Sequence, residues 1–563
     1  MTLPLLSYVP PSAVPVLRPY QAEGIAALRA GVAAGKRRQL LVCPTGGGKT
    51  VLASALIRSA LSRDRRVLFV AHRLELIDQA VRQIGRWGVE RIGVLRGADK
   101  RVDAEAPVQV ASIQTLARRD KPPADVVIID EAHRALADSY QKHIFAAYPE
   151  ATIIGLTATP CRADGRGLGE SFDGISIAAT YTQLIADGFV MEPRVFSTPL
   201  SHVMGQRLAG LHTRAGDYAD DELDEVVTDE RLMGDVVETW KLRSATTEGA
   251  GHLRTVVFAV SVRHSLALVE RFTAAGARAA HIDGTTPETT RRAVLAQLDA
   301  GDLTLVSNVG VLCEGWDQPS VKCLVLARPT KSLGLYMQMA GRVLRPWGET
   351  VPIIIDHGGN YDRHDAPTTD REWSMEGVTK RAAEVKARVC PDCYAYVRPR
   401  VPVCPHCGHD FREQIRNEEQ AAREEERKAV ELEERKRANA MSLFDKRRIY
   451  DELVSLAQRR GWKPGSASAR FKERFGEWPP WAWSQETKRR YEADEQWMDA
   501  VSRRQREREH WEQVDAGKQA DGVEGGVVEM QVATGQAVTA DAGAVDGVPV
   551  VSDESFAAWW EEQ

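Results

Sequence analysis

No apolar run in this chain approaches the about 20 residues that a bilayer-spanning helix needs. The opening Met1-Thr2-Leu3-Pro4 lacks the basic and apolar regions of a secretory leader. The expectation is a cytoplasmic protein with no membrane partner. Cysteine is scarce too, eight in 563 residues, and Cys43, Cys161, Cys313 and Cys323 are scattered. That scatter reads as buried thiols in a reducing compartment. Residues 515–563 have almost no positive charge: one lysine stands against ten acidic residues. The whole chain carries −5 and this stretch −9, so the remainder carries +4. A near-neutral to mildly basic body is compatible with a localised nucleic-acid track. The same stretch lacks hydrophobic periodicity, which reads as disorder. What the chain has in quantity is apolar side chains, 43% of the total, enough for real cores in three or four domains.

The most informative stretch is Cys43-Pro44-Thr45-Gly46-Gly47-Gly48-Lys49-Thr50. A Gly-rich turn lets backbone N–H groups close on phosphates, with Thr45, Gly46, Gly47 and Gly48 forming the cradle. Lys49 neutralises the β/γ oxygens, and the Thr50 hydroxyl reaches Mg²⁺. Cys43 stands where the G-x-x-x-x-G-K-[ST] pattern has its first Gly, a position that mainly needs a small side chain. Gln39–Val42 reads as a buried strand and Val51–Leu61 as a helix, the strand–loop–helix setting this mechanism requires. About eighty residues later the apolar run Asp125–Asp130 leads into Glu131-Ala132-His133. A buried parallel strand brings its carboxylate tip to the active edge. Asp130 is then placed to hold Mg²⁺ through water, and Glu131 to orient and deprotonate an attacking water. Together the two stations imply that a nucleoside triphosphate is bound and cut.

Residues 1–16 are Pro-rich and read as irregular. From 17 to 190, strand candidates Val67–Val70, Val108–Ala111, Val126–Asp130 and Ile153–Leu156 alternate with helices. From 191 to 386 the rhythm repeats with Thr255–Ala259, Leu303–Ser307, Val321–Ala327 and Pro352–Asp356. Both stretches read as α/β domains built on parallel sheets. Residues 387–411 hold Cys390-Pro391-Asp392-Cys393 and Cys404-Pro405-His406-Cys407. Paired C-x-x-C knuckles bind tetrahedral Zn²⁺, each placing two thiolates on one turn. His406 and His409 are possible substitutes, but Cys390, Cys393, Cys404 and Cys407 suffice. The loop residues Tyr394, Tyr396, Arg398 and Arg400 leave two readings open, a DNA-contacting ribbon or a purely structural one. Residues 412–440 are almost continuously charged, without Gly or Pro, and read as an exposed helix. Residues 441–513 read as a small helical module, with Ile449, Tyr450, Leu453 and Leu456 at helical spacing and Ser466 as a candidate cap. Residues 514–563 read as a disordered acidic tail. Its end sets Phe556, Trp559 and Trp560 among carboxylates, a candidate docking peptide for a protein partner.

Over roughly residues 15–360 the ordered motifs resemble superfamily 2 helicases of the DEAH type. The resemblance implies two RecA-like domains, ATP at their interface and single-stranded nucleic acid across the top. Leu17-Arg18-Pro19-Tyr20-Gln21 resembles the adenine-reading motif, with Arg18 and Gln21 at the nucleotide. Ala71-His72-Arg73 and Ser112-Ile113-Gln114-Thr115 resemble first-domain nucleic-acid motifs. His281-Ile282-Asp283-Gly284-Thr285 resembles a backbone-gripping motif of the second domain. Arg73, Thr115 and Thr285 are thus the nucleic-acid candidates, holding backbone without reading sequence. Thr157-Ala158-Thr159 resembles the motif that couples ATP to the strand, and His133, Thr157 and Thr159 are carried over with it. Glu314-Gly315-Trp316-Asp317 resembles the motif whose aspartate, here Asp317, touches the ribose. Gln338 through Arg345 resembles Q-x-x-G-R-x-x-R, implying catalytic roles for Gln338, Arg342 and Arg345. Gln338, Gly341, Arg342 and Arg345 also recur at i, i+3, i+4 and i+7, which predicts one helical face. The basic and aromatic run from Arg460 to Trp478 resembles the piece after the ribbon in RadD-like helicases of bacteria and phages. Those act in DNA repair and recombination. The expectation is an ATP-dependent DNA helicase or translocase using ATP, Mg²⁺ and Zn²⁺ on single-stranded or branched DNA. An RNA helicase and an ATP-gated DNA-binding recruitment module without unwinding activity stay open as alternatives.

Overall fold

The computed structural model describes residues 15–520 except Arg73, Ala98, Ala163, Ala215, 247–250, 379–386, Pro464, Ala493 and Asp494. Its compact units are 1–418 and 419–563, and no helix among the described residues is long and apolar enough to cross a membrane.

The first sheet contains β1 (Arg38–Val42), β2 (Val67–Ala71), β3 (Ile92–Leu95), β4 (Val108–Ser112), β5 (Val126–Asp130), β6 (Thr152–Thr157) and β7 (Gly174–Ile177). Their order is β3-β4-β2-β5-β6-β1-β7, and every pairing is parallel. Successive side chains alternate faces, so each central strand feeds two cores. Val67 and Phe69 enter one, with Leu41, Val110 and Ile128; Leu68 and Val70 enter the other, with Leu40, Val127 and Ile129. Burial on both faces is why these strands are continuous apolar runs.

The second sheet begins with β8 (Arg194–Phe196). A short hairpin, β9 (Thr213–Arg214) with β10 (Asp217–Tyr218), precedes β11 (Thr255–Phe258), β12 (Ala279–Ile282), β13 (Leu305–Asn308), β14 (Cys323–Leu326) and β15 (Ile353–Asp356). The order β12-β13-β11-β14-β15-β8 is again parallel throughout. These are two RecA-like parallel-sheet domains. One buried cluster joins them: Tyr20, Tyr181 and Val190 pack with Phe258, Leu326, Tyr336 and Met337. After β8, an Asp/Glu-rich segment folds as the hairpin's second strand and a helix, Asp220–Val227.

After a second hairpin, β16 (Trp373–Ser374) with β17 (Gly377–Val378), comes the cysteine module, whose β18 (Arg388–Val389) pairs antiparallel with β19 (Tyr396–Val397). It does not stand apart from the second domain. Ser197 N–H donates to the Tyr394 carbonyl at 2.8 Å, and Phe196 shares the module's core with Cys390, Cys393, Cys404 and Phe411. Tyr396, a loop residue for which the DNA-contacting reading is one of two left open, is buried. Its hydroxyl donates to Asp362 at 3.0 Å and its ring stacks on Tyr361 with centroids 3.9 Å apart.

The charged helix spans Arg412–Asn439. Within the second unit, helices Leu443–Arg459, Gly465–Phe475 and Trp481–Glu492 close a core of Ile449, Tyr450, Leu453, Phe471, Phe475 and Tyr491. Gly465 already begins its helix, so Ser466 lies inside the first turn rather than capping it. The last helix, Glu495–Ala520, continues past 513 into the stretch expected to be disordered. Asp515 to Ala520 contain no proline to stop it. The acidic, aromatic end of the tail lies outside the described residues.

Candidate functional site

β1 runs into the glycine loop, and a helix starts at Lys49. Gly46 and Gly48 have φ of 92° and 85°, backbone that side chains other than glycine avoid. Gly47 is required for another reason: a Cβ there would lie 2.5 Å from Cys43 Sγ. The sulfur of fully buried Cys43 thus fills the space behind the cradle, which accounts for the departure from the usual first glycine. Tyr20 Oη and Gln21 Nε2 both donate to the Gly47 carbonyl at 3.0 Å. Arg18 lies 3.5 Å over the Phe189 ring, and its N–H donates to Gln21 Oε1. The structure therefore ties Gln21 to the phosphate loop and sets Arg18, Tyr20 and Phe189 as one wall beside it. Phe189 carried no sequence signal; it lies in an ordinary turn after the helix Tyr181–Ala186.

Asp130 ends β5, and Glu131 follows at φ 51°, a left-handed backbone unusual for glutamate. Lys49 Nζ bonds Glu131 Oε1 at 2.8 Å, and His133 Nδ1 lies 3.4 Å from Glu131 Oε2. Burial alone would raise the Glu131 pKa, but Lys49 and His133 outweigh it and hold the carboxyl well below its usual range. Burial and the neighbouring Glu131 charge push Asp130 up to about 7. For Lys49, burial opposes the charge, yet Glu131 and Asp130 together raise its pKa. A half-buried and a buried carboxylate sharing one lysine suit a dication, so Asp130 fits the magnesium role the sequence suggests, with Thr50 beside Lys49 in the chain. Thr157 Oγ1 donates to the Thr159 carbonyl at 2.9 Å and accepts from Thr159 N–H at 3.1 Å, a closed buried turn.

The second domain faces this site through the helix Leu333–Ala340 and the turn after it. That corrects the expectation of one helical face. The helix stops at Ala340, so Gln338 is helical whereas Arg342 and Arg345 lie beyond it. The chain tightens through i→i+3 bonds at Arg342 and Val343, and Pro346 follows. Gly341 backs directly onto the phosphate loop: a Cβ there would lie 2.5 Å from Thr45 Cγ2. Arg342 donates to the Gln338 and Trp316 carbonyls. Arg345 is ion-paired with Asp317, and burial brings its pKa down to about 10. Asp317, expected at the ribose, is thus engaged by Arg345. A cross-domain pair absent from the sequence expectations joins Arg134 to buried Glu314 at 2.8 Å. Arg134 adjoins His133 in the chain, which is its only sequence signal.

Thr115 follows β4 and Thr285 follows β12, on the strand-end edges that also carry Lys49 and Asp130 in the first sheet. Thr115 Oγ1 accepts from Ser112 Oγ at 2.8 Å and Gly97 N–H at 3.2 Å. Thr285 donates its N–H and hydroxyl to Asp283 Oδ1, both at 2.8 Å. Arg73 lies outside the described residues. In the cysteine module the Sγ atoms of Cys390, Cys393, Cys404 and Cys407 all lie within 4.8 Å of one another. This is a four-thiol donor set that fits tetrahedral zinc.

Comparison with known proteins yields two family matches. Residues 15–162 match the family described as type III restriction enzyme, res subunit, and residues 241–346 match the helicase conserved C-terminal domain. A 51.5 kDa protein of Lactococcus phage (isolate 7-9) is 30% identical over 66% of this chain and 78% of its own length. The Saccharomyces cerevisiae protein named "Putative ATP-dependent helicase IRC3" is 30% identical over 59% of this chain and 50% of its own. The Schizosaccharomyces pombe protein named "Putative mitochondrial ATP-dependent helicase irc3" is 30% identical over 58% and 55%. The chain therefore spans most of the phage protein but only about half of either yeast protein.

Proposed function

This chain belongs to the superfamily 2 helicases, and from that premise we propose that it is an ATP-hydrolysing motor that moves along DNA. The observation that carries the reading is the approach of Gly341 to Thr45, which puts the arginine turn of one domain against the phosphate loop of the other. In this reading the loop 43–50 binds the phosphates and Lys49 leaves Glu131 to neutralise them. Thr50 and Asp130 would hold magnesium, which would supply positive charge against the charge developing on the phosphates. Glu131, freed from Lys49, orients the attacking water and takes its proton. Arg342 turns from the Trp316 carbonyl towards the phosphates, and Gln338 and Arg345 support it. Thr157, Thr159 and His133 couple that state to the strand-binding edge, where Thr115 and Thr285 grip phosphates.

The match to a restriction-enzyme subunit family supports DNA as the track. Repair or recombination as the setting rests on the RadD-like order of helicase core, four-cysteine module and helical tail. Cys390, Cys393, Cys404 and Cys407 hold zinc in this reading. The test is an ATPase titration with single-stranded, duplex and forked DNA and with RNA, beside a strand-displacement assay. DNA is expected to stimulate hydrolysis strongly and RNA weakly. Stimulation by RNA alone would overturn the DNA assignment; stimulation by DNA without displacement would reduce the motor to a translocase or an ATP-gated clamp.

A further inference from the structure

The motifs assigned above sit at the strand C-terminal ends. The opposite edge of the second sheet carries a cavity of about 460 Å³ that none of them uses, a size typical of small-ligand sites. Four parallel strands deliver its wall: Arg254 precedes β11, Arg278 precedes β12, Thr304 precedes β13 and Lys322 precedes β14. Trp347, 50% exposed, adds an aromatic face.

The charge of this wall is one-sided. Among the described residues no carboxylate pairs with Arg254, Arg278 or Lys322. Arg278 donates to the Gly301 carbonyl at 2.8 Å, and the buried Arg254 Nε has no hydrogen-bond partner. Lys322 is 1% exposed and donates to the Arg345 carbonyl. Burial without a counter-charge brings its pKa down to about 8. His252, also in the wall, stacks on Trp240 with centroids 4.2 Å apart, and burial lowers its pKa, so it adds no charge at neutral pH. Burying Lys322 and the Arg254 Nε without a counter-charge costs stability; an anion in the cavity would offset that cost, and Arg278, exposed beside them, is free to meet it. Two guanidiniums offer forked donors and the ammonium a point charge, a set suited to phosphate. The tryptophan offers a stacking face for a base.

We infer that this cavity is a second nucleotide site, in which Arg254, Arg278 and Lys322 hold a phosphate and Trp347 stacks the base. The nucleotide is either free or the phosphorylated end of a strand. Because Lys322 bonds the backbone of Arg345, and Arg345 pairs with Asp317, occupancy reaches the arginine turn from behind.

The test uses the full chain and two probes: ADP, and one oligonucleotide bearing either a 5′-phosphate or a 5′-hydroxyl. A free-nucleotide site gives two bound equivalents of ADP. A strand-end site gives about tenfold or greater preference for the phosphorylated end. Arg254→Gln with Arg278→Gln removes that second equivalent or that preference and leaves the first equivalent in the phosphate loop. Trp347→Ala, a change at an exposed side chain, weakens the same signal and covers the case where the double variant misfolds. A single equivalent of ADP with equal affinity for both oligonucleotide ends would overturn the site. So would either signal surviving undiminished in these variants.

Discussion

The two α/β domains share one architecture but meet the cleft in opposite ways. The first presents charges that its own fold locks in place: Lys49, Glu131 and His133 form a buried chain of contacts at a strand end and a helix start. The second presents a turn past a helix end, and its arginines are held by their own domain, Arg342 on the Trp316 carbonyl and Arg345 on Asp317. In the proposed mechanism the acid and lysine part from each other within one domain, whereas the arginines leave partners in their own domain and reach across the cleft. Removing a group from either side should therefore stop hydrolysis for different reasons. Arg342→Ala is expected to cost on the order of 10³–10⁵ in kcat with nucleotide affinity nearly kept. Glu131→Gln should cost about 10²–10⁴ and also retain binding, whereas Lys49→Ala should weaken nucleotide binding itself. Equal loss of affinity in all three variants would erase the distinction between the two faces.

The contact between the faces offers a finer test. A methyl at position 341 would lie 2.5 Å from Thr45 Cγ2 and 3.0 Å from the Met337 carbonyl. Gly341→Ala should leave the first domain's nucleotide affinity intact and lower kcat about 10²-fold, the scale of a 1 Å misplacement at a reacting centre. An unchanged kcat would mean that the catalytic state does not use this approach.

How legible these features were depended on burial. Every strand read from the sequence, such as β2, β5 and β14, is central in its sheet and apolar on both faces. In the two large sheets the strands it missed, β3, β7, β8 and β12, are the four edges. Their burial is partial, as in Gly174–Ile177 and Ala279–Ile282, so no continuous apolar run marks them. The phosphate loop and Asp130-Glu131 were legible because their chemistry lies in consecutive residues. Arg134–Glu314 and Gly341–Thr45 were not, because they join residues 180 and 296 positions apart, and only the assembled cleft brings them together. The helical spacing of Arg342 and Arg345 misled because the helix ends at Ala340, before either arginine.

The cysteine module separates the domains again, since its core includes Phe196 of β8 and none of the first sheet. Removing metal, or changing Cys390 and Cys404 to Ser, should unfold residues 387–411 and raise hydrogen exchange at Arg194–Phe196. Nucleotide binding at Lys49 should survive. Metal analysis without zinc would remove the site, and unaltered exchange in β8 would show that the module is only a neighbour.

The smallest expected effect concerns acid. His264 lies in the first turn of the helix Val262–Ala274, 1% exposed, and its Nδ1 accepts from Val260 N–H at 3.4 Å. Burial pushes its pKa down to about 4, and the opposing charge of Asp224 does not restore it. The unfolded chain titrates near the ordinary value of about 6.5. Below that pH the unfolded state gains a proton that the folded state refuses, so stability falls as pH drops from about 6.5 towards 4. The loss approaches about 3 kcal/mol at the lower end. His364 of the same domain is lowered in the same direction, also chiefly by burial, so one substitution removes only part of the slope. His264→Gln keeps a hydrogen-bond acceptor without a titrating ring. Its denaturation midpoint should change less between pH 7 and 5 than that of the natural chain, with the difference confined to unfolding of the second domain. Parallel pH profiles for the two proteins would mean that His264 is not a buried neutral ring, and that the acid sensitivity of this domain has another source.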